Sequence, residues 1–383
     1  MDEQRLMLDT AQAMELAIEE AYKGASFVSP NPLVGCVVLN AKGELLSKGY
    51  HQKYGEAHAE VNALKGLSTE ELRGAHVIVT LEPCAHEGKT PSCAKALAKL
   101  PIQKVTYGLV DPNPLVAGQG AEILRQAGIV AEVFEWPGEK GQKIREELEL
   151  VCEAFLWNFR EKKVFVALKI ASSLDGMLGL KNGESKWITG PESREHAHYL
   201  RSIYDAVLIG RGTFEADNPA LNIRHPHIQK ENKVVVVDPS AKSLHKFELS
   251  QMAQAHRPEN VFWVISAKHK EGLIAPNPCP QLVFVEPNSD DSLSPEAILT
   301  ALYSRGIRSV MIEGGSFTAG SFMQANCVQR LWLFMAPKLI GAEAGRSWND
   351  KMKINHINEA QNLKYLKTLK FGNDICWSGR LKP

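Results

Sequence analysis

His58-Ala59-Glu60, then Pro83-Cys84, then Cys93 decide how the first half of this chain is read. Together they supply one imidazole, one carboxylate and two thiols. Structural zinc sites fill four positions with protein ligands, whereas catalytic ones use three and leave one open. His58, Cys84 and Cys93 make three, and Glu60 is left over as a proton carrier two residues from the imidazole. Zinc-activated water beside a carboxylate can attack the amidine-like carbon of an aminated nucleobase and expel ammonia. A lone His-x-Glu is common on helix surfaces, and an isolated buried Cys is usually core packing. The set gains weight from its order and from the placing of each member at an element boundary. His86, in Cys84-Ala85-His86, is the rival ligand. The excursion Ala85 to Ser92 is longer than the Pro-Cys-x-x-Cys of the commonest base deaminases. It adds a loop that can touch substrate.

Working outward, apolar spacing over residues 5–23 predicts an amphipathic opening helix, stopped by Pro30-Asn31-Pro32. Val34 to Leu39 reads as a buried strand, Lys42-Gly43 as a hairpin turn, and Glu44 to Tyr50 as its return strand. Glu56 to Leu67 is expected to be the helix that carries His58 and Glu60. Ala75 to Leu81 is a strand, and Pro83 halts its ladder. Cys93 opens a second helix, and strand, helix, strand follow over 104–134. Helix starts present amide donors and a positive dipole end, which favour thiolate. The alternation predicts a largely parallel sheet covered on both faces.

Length suggests two or three domains. The expected division is 1–145, a linker at 146–162 and a second domain at 163–383. The linker carries a charged, helical pattern with Leu148, Val151, Phe155 and Trp157 as an apolar stripe. Lys plus Arg and Asp plus Glu are each 44, so the formal net charge is zero. That argues against a long polyanion as partner, because phosphate neutralisation dominates nucleic-acid affinity. One small phosphorylated ligand remains compatible. The charged start Met1-Asp2-Glu3-Gln4-Arg5 leads into no apolar signal region, and no apolar run is long enough to span a bilayer. Seven scattered cysteines in a long chain read as thiols of a reducing cytoplasm rather than a disulfide framework.

Three strings then carry a resemblance: Asn31-Pro32-Leu33-Val34-Gly35, His58-Ala59-Glu60, and Glu82 through Cys93. They resemble the bifunctional riboflavin-biosynthesis deaminase/reductase family, in which the long Cys-to-Cys spacing is the rule. The likeness continues through Lys169-Ile170-Ala171-Ser172-Ser173-Leu174-Asp175-Gly176, Gly183 to Thr189, Asp205 to Gly210, Asp217 to Leu221 and Glu313-Gly314-Gly315. It implies an N-terminal cytidine-deaminase-like α/β/α domain and a C-terminal dihydrofolate-reductase-like α/β domain. The first would bind one zinc per chain. It would remove the 2-amino group of 2,5-diamino-6-(5-phosphoribosylamino)pyrimidin-4-one. The second would reduce the ribosyl group of the product to ribityl with NADPH.

The resemblance also implies roles. Asn31 and His51 would grip the pyrimidine, with Lys89 near its polar groups; from chemistry alone Asn31 reads equally as a turn residue between prolines. Ala171, Trp187, Thr213, Asp217 and Gly315 would lie near the cofactor, and Ser185, Arg201, Leu221, Arg224 and Glu313 near the substrate. Lys169 is the candidate cation beside the carbon that accepts hydride, with Glu313 as its partner; a structural ion pair is the competing explanation. Arg201 and Arg224 could fork onto the 5′-phosphate, or be solvated surface charges. Paired glycines ahead of a helix at Ser316 form a phosphate cradle, and no Gly-x-Gly-x-x-Gly marks a Rossmann domain. Reductase-like domains of this type often pair, so a homo-oligomer, dimer or tetramer, is expected. The competing functions are a deaminase for free cytidine or a tRNA base, and a catalytically silent binding module.

Overall fold

The computed structural model describes residues 6–86, 91–113, 117–349, 352 and 354–381. The chain divides into two compact units, Met1–Lys162 and Lys163–Pro383. No helix among the described residues is long and apolar enough to cross a membrane.

The first unit runs α1 (Thr10–Tyr22), β1 (Gly35–Leu39), β2 (Leu45–Tyr50), α2 (Ala59–Leu64), β3 (His76–Leu81), α3 (Cys93–Leu97), β4 (Lys104–Leu109), α4 (Gln119–Gln126), β5 (Val130–Val133), α5 (Gly138–Val151) and α6 (Glu153–Glu161). Its five strands lie in the order β2-β1-β3-β4-β5. Strands β3, β4 and β5 are parallel, but β1 is antiparallel to both β2 and β3. The hairpin at Lys42-Gly43 is the reason: Gly43 adopts φ 88°, the chain reverses, and half of the sheet departs from the parallel expectation.

Helices cover both faces. Met14, Ala17 and Ile18 of α1 pack with Val37, Leu39 and Ile78, joined by Ile144 and Leu148 of α5. On the other face Ala59 and Ala63 of α2, Leu97 of α3 and Leu124 of α4 pack against Cys36, Val38, Val77 and Val79. The approach is close enough to require glycine twice. A Cβ on Gly35 would lie 1.9 Å from the Ala17 carbonyl oxygen, and one on Gly49 2.4 Å from the Ala63 nitrogen. The segment 146–162, expected as a linker, is helical and lies in this unit, with Leu148, Val151, Cys152 and Leu156 buried.

The second unit runs β6 (Phe165–Ser173), β7 (Met177–Leu180), α7 (Pro191–Ile203), β8 (Ala206–Gly210), α8 (Arg211–Asp217), β9 (Lys233–Val237), α9 (Gln251–Ala255), β10 (Val261–Ser266), β11 (Gln281–Val285), α10 (Pro295–Tyr303), β12 (Ser309–Glu313), α11 (Ser316–Gln324), β13 (Arg330–Ala336), β14 (Gly345–Ser347), β15 (Leu363–Phe371) and β16 (Asp374–Leu381). Nine strands form one sheet in the order β11-β10-β9-β8-β12-β6-β13-β16-β15. All pairings from β11 to β13 are parallel, and β16 and β15 close the sheet as an antiparallel hairpin. Continuous apolar runs such as Val261 to Ser266, buried throughout, fit a sheet covered on both faces. On one face Ile298 and Leu302 of α10 and Phe322 and Met323 of α11 pack on Val166, Leu168, Leu208 and Val310. The chain returns from β11 to place β12 between β8 and β6. Such a switch of direction puts the carboxyl ends of adjacent parallel strands around a crevice suited to ligands.

Candidate active sites

Three chain segments meet at the carboxyl end of β3. His58 is the N-cap of α2 and makes no side-chain capping bond. Cys93 is the first residue of α3, whose start is capped by Ser92 accepting from the Lys95 amide. Cys84 follows β3 after Pro83. Its carbonyl accepts from the Ser92 hydroxyl (2.8 Å) and the Ala94 amide (3.1 Å), which ties the strand end to the start of α3.

His58 Nδ1 lies 3.6 Å from Cys84 Sγ and 3.4 Å from Cys93 Sγ. The three donor atoms fall within 4.8 Å of one another and form the one such cluster among the described residues. Zinc bonds of about 2.3 Å to sulfur and about 2.0 Å to nitrogen at a tetrahedral angle place N and S about 3.5 Å apart. Both the spacing and the donor chemistry therefore fit zinc. His86 is exposed and outside the cluster.

The electrostatics agree. The hydrogen bond from Cys93, seconded by His58, draws the Cys84 thiol down to about 4, whereas sharing with Cys84 and burial push Cys93 up. The Cys84 hydrogen bond raises His58. A divalent cation, when bound, would hold both sulfurs as thiolates. Glu60, in the first turn of α2, is only 4% exposed. Burial raises its pKa, so the carboxyl is poised to carry a proton.

His51 is buried, with Nδ1 3.0 Å from the Ala57 carbonyl and Nε2 3.1 Å from Asn31 Nδ2. A carbonyl only accepts, so Nδ1 carries the proton and Nε2 accepts from the Asn31 amide. Both ring nitrogens expected to grip a ligand are thus used inside the protein, and the Asn31 amide oxygen remains as an acceptor. Asn62, which the sequence did not flag, ties this wall together by donating to the Tyr50 and Ala57 carbonyls (2.8 and 3.3 Å). Lys89 lies outside the described residues.

In the second unit, candidate groups gather at the carboxyl end of β12 and the adjoining middle of β6. Glu313 and Lys169 are register partners on the adjacent strands β12 and β6. The direct ion-pair partner of Glu313, however, is Arg201 of α7. Nε and Nη2 donate to the two carboxylate oxygens at 2.6 and 3.0 Å, and Nη1 donates to the Asn222 carbonyl at 3.0 Å. Arg201 thus gives three of its five N–H donors to Glu313 and Asn222, while Arg224 is exposed. Although burial opposes it, the guanidinium brings the Glu313 carboxyl down to about 2. Burial lowers Lys169, and Glu313 opposes that shift.

Leu221 sits beside this group with φ 54°, a left-handed conformation unusual for a bulky residue. It is held there by Asn232 Nδ2, which donates to its carbonyl at 3.1 Å. The Arg224 amide donates to His198 Nδ1 (3.1 Å), and burial followed by Arg201 lowers His198 to about 4. No sequence pattern marks His198 or Asn222.

Gly315 caps α11 with no side-chain capping bond, and its amide donates to Thr213 Oγ1 at 3.1 Å. Cβ atoms on Gly314 and Gly315 would approach no atom closer than 3.7 and 3.8 Å, so this turn is open beside an uncapped helix start. Such a turn can cradle a dinucleotide phosphate. Ala171 lies on β6, one alternation beyond Lys169. Trp187 is 66% exposed, stacked under Arg194 at 4.5 Å, with its carbonyl accepting from Lys338 Nζ at 2.7 Å. Among the described residues, no hydrogen bond joins Ser185, Trp187 or Asp217 to the Lys169, Glu313 and Arg201 group.

Comparison with known proteins agrees with both sites. Residues 7–109 match the cytidine and deoxycytidylate deaminase zinc-binding region, and residues 164–377 match the RibD C-terminal domain. The chain is 36% identical over 362 residues to the riboflavin biosynthesis protein RibD of Actinobacillus pleuropneumoniae, covering 94% of this chain and 93% of that one. It is 31% identical to that of Escherichia coli K12, covering 95% and 97%. The solved structure of Acinetobacter baumannii RibD superposes with a TM-score of 0.80 at 31% identity, covering 98% of this chain and 99% of that one. A Thermotoga maritima structure described as a diaminohydroxyphosphoribosylaminopyrimidine deaminase/5-amino-6-(5-phosphoribosylamino)uracil reductase also gives 0.80 at 31% identity, covering 97% and 99%. A cytidine-deaminase-like zinc domain followed by a dihydrofolate-reductase-like domain makes one enzyme, and the chain belongs to the RibD family of bifunctional riboflavin-biosynthesis deaminase/reductases.

Proposed function

We propose that the first unit deaminates 2,5-diamino-6-(5-phosphoribosylamino)pyrimidin-4-one and that the second reduces the ribosyl group of the product with NADPH. The observation that carries the first half is the donor triangle of His58, Cys84 and Cys93 with Glu60 buried beside it. These three residues would hold one zinc per chain, which when bound supplies Lewis acidity toward a water molecule at its open position.

The chain's own groups do the rest. Glu60 takes a proton from the attacking water as oxygen adds to C2, then delivers it to the amino group as the C–N bond breaks and ammonia leaves. Asn31, oriented by His51, offers its amide oxygen to an N–H of the pyrimidine. This orienting role replaces direct gripping by His51.

In the second unit Gly315 and Thr213 would seat the cofactor, joined by Ala171, Trp187 and Asp217. The nicotinamide supplies hydride to C1′ when bound. Lys169 gives a proton to the substrate as its sugar ring opens, and Glu313, fixed by Arg201, holds Lys169 in place. Ser185, Leu221 and Arg224 complete the substrate side. Ile375 and Trp377, on one face of β16, are 44% and 42% exposed and support a homo-oligomer. Seven free thiols support a reducing cytoplasm.

Ammonia release from the diaminopyrimidine phosphate tests the first step, and NADPH oxidation on the deaminated product tests the second. A zinc-loaded chain that releases no ammonia from this compound overturns the substrate assignment.

A further inference from the structure

One buried carboxylate next to the metal cluster has no part in the steps above. Glu82 ends the β3 ladder two residues before Cys84, with its amide donating to the Leu109 carbonyl at 2.8 Å. It is 4% exposed, and among the described residues its carboxylate accepts hydrogen bonds from backbone amides. Oε2 accepts from the Asp111 amide (3.3 Å) and the Gly118 amide (3.0 Å), and Oε1 accepts from the Ala121 amide (3.2 Å). Gly118, with φ 76°, is the N-cap of α4, and Ala121 lies in its first turn. One carboxylate therefore ties the start of α4 and the turn at Asp111 to the strand end that carries Cys84.

The contact is tight on its other side as well. A Cβ on Gly120 would lie 2.0 Å from the Pro83 carbonyl oxygen and 3.3 Å from Glu82 Oε1. Helix α4 presses on the Pro83 carbonyl while α3 holds the Cys84 carbonyl, so the Glu82-Pro83-Cys84 strand end is clamped between two helix starts. The tethered turn follows β4, whose Leu109 pairs with Leu81 of β3, so it lies beside the strand end that carries Cys84. Asp111 Oδ1 accepts from the Asn113 amide at 2.9 Å.

We propose that Glu82 is a positioning residue of the deaminase centre: its carboxylate latches the Asp111–Asn113 turn and the first turn of α4 onto the strand end bearing Cys84, and so fixes the wall against which the pyrimidine docks. This rests on the deaminase reading of the first unit. The latch acts on substrate binding more than on metal binding, because the three metal donors are also held by α2 and α3.

The test is Glu82→Gln in the full chain. The amide keeps the size but turns an NH2 group toward an N–H donor, so at least one of the three hydrogen bonds is lost. The expected result has four parts. Zinc per chain is unchanged and reductase activity is unchanged. The deaminase KM rises about tenfold or more while kcat falls less. Hydrogen exchange at Gly118 and Ala121 speeds up about tenfold. Gly120→Ala, whose methyl group forces α4 away from Pro83, should give the same KM-dominated signature by a different route. It carries the test if Glu82→Gln fails to fold, which loss of both activities would reveal. An unchanged KM with unchanged exchange overturns the proposal. So does a deaminase loss that only tracks zinc loss. Failure of the deaminase reading itself is distinct, because the unsubstituted chain would then release no ammonia.

Discussion

The two catalytic regions hold their charged groups in different ways. In the first unit, the metal donors come from one short stretch, His58 to Cys93, and each sits at the start of a helix or the end of a strand. Backbone amides set their positions, and both thiols face the His58 ring. In the second unit, the charge is already paired: Arg201 and Glu313, 112 residues apart in sequence, form a bidentate pair with side chains 13% and 12% exposed. One region is built to receive a cation. The other has spent its guanidinium on its carboxylate and leaves Lys169 as the cation next to Glu313. Perturbing the first should therefore cost chemistry with little loss of stability, and perturbing the second should cost stability as well.

The strongest break between the regions should come from Cys84→Ser, which removes a thiolate from a three-ligand site. Zinc content and ammonia release should both be lost while NADPH oxidation on the deaminated product continues; elemental analysis and the two assays check it. Chelation of the unsubstituted chain should reproduce the same split. Next comes Glu60→Gln, which keeps the metal donors and removes the proton carrier. Deaminase kcat should fall roughly 10²–10⁴-fold with zinc retained, the range for loss of a positioned acid–base group. Steady-state kinetics beside a zinc determination read it, and a full deamination rate would refute the role given to Glu60.

Arg201→Met should be smaller in rate terms and larger in stability. Removing one partner leaves the Glu313 carboxylate buried and unpaired, which costs about 3–5 kcal/mol. Denaturant unfolding should show the loss, and ammonia release should stay intact in native buffer. The smallest effect concerns His196, which stacks on Phe371 at 4.4 Å and has a buried Nε2 with no hydrogen-bond partner among the described residues. Burial, followed by the charge of His225, lowers its pKa from 6.5 to about 4. The unfolded chain then binds more protons than the folded one between these values, so stability falls as pH drops from 6.5 toward 4. His196→Phe should flatten that slope in unfolding measurements at pH 4.5 and pH 7, and an unchanged slope would show that His196 does not contribute.

How much of this was visible in the sequence follows the same divide. Zinc chemistry demands particular residue types, so His58, Cys84 and Cys93 could be picked out before any contact was known. The carrier helix was expected over 56–67 but forms only at Ala59–Leu64, because His58 is its cap and turns its ring to the thiols. Strand runs in the second unit were legible from their unbroken apolar character. Pairing was not. Whether Glu313 meets Lys169 or Arg201 depends on where α7 lies against β12, and no local pattern encodes that. His51 was ambiguous for a similar reason: its role is set by the Ala57 carbonyl and the Asn31 amide, both supplied by the fold. The stripe Leu148 and Val151 is visible, but that it packs within the first unit is not.

The most direct measurement is zinc-edge X-ray absorption on the full chain. The expected result is one zinc per chain with two sulfurs at about 2.3 Å, one imidazole nitrogen at about 2.0 Å and one further light atom from solvent. A third sulfur, a second imidazole, or a folded and deaminating chain without zinc would contradict it.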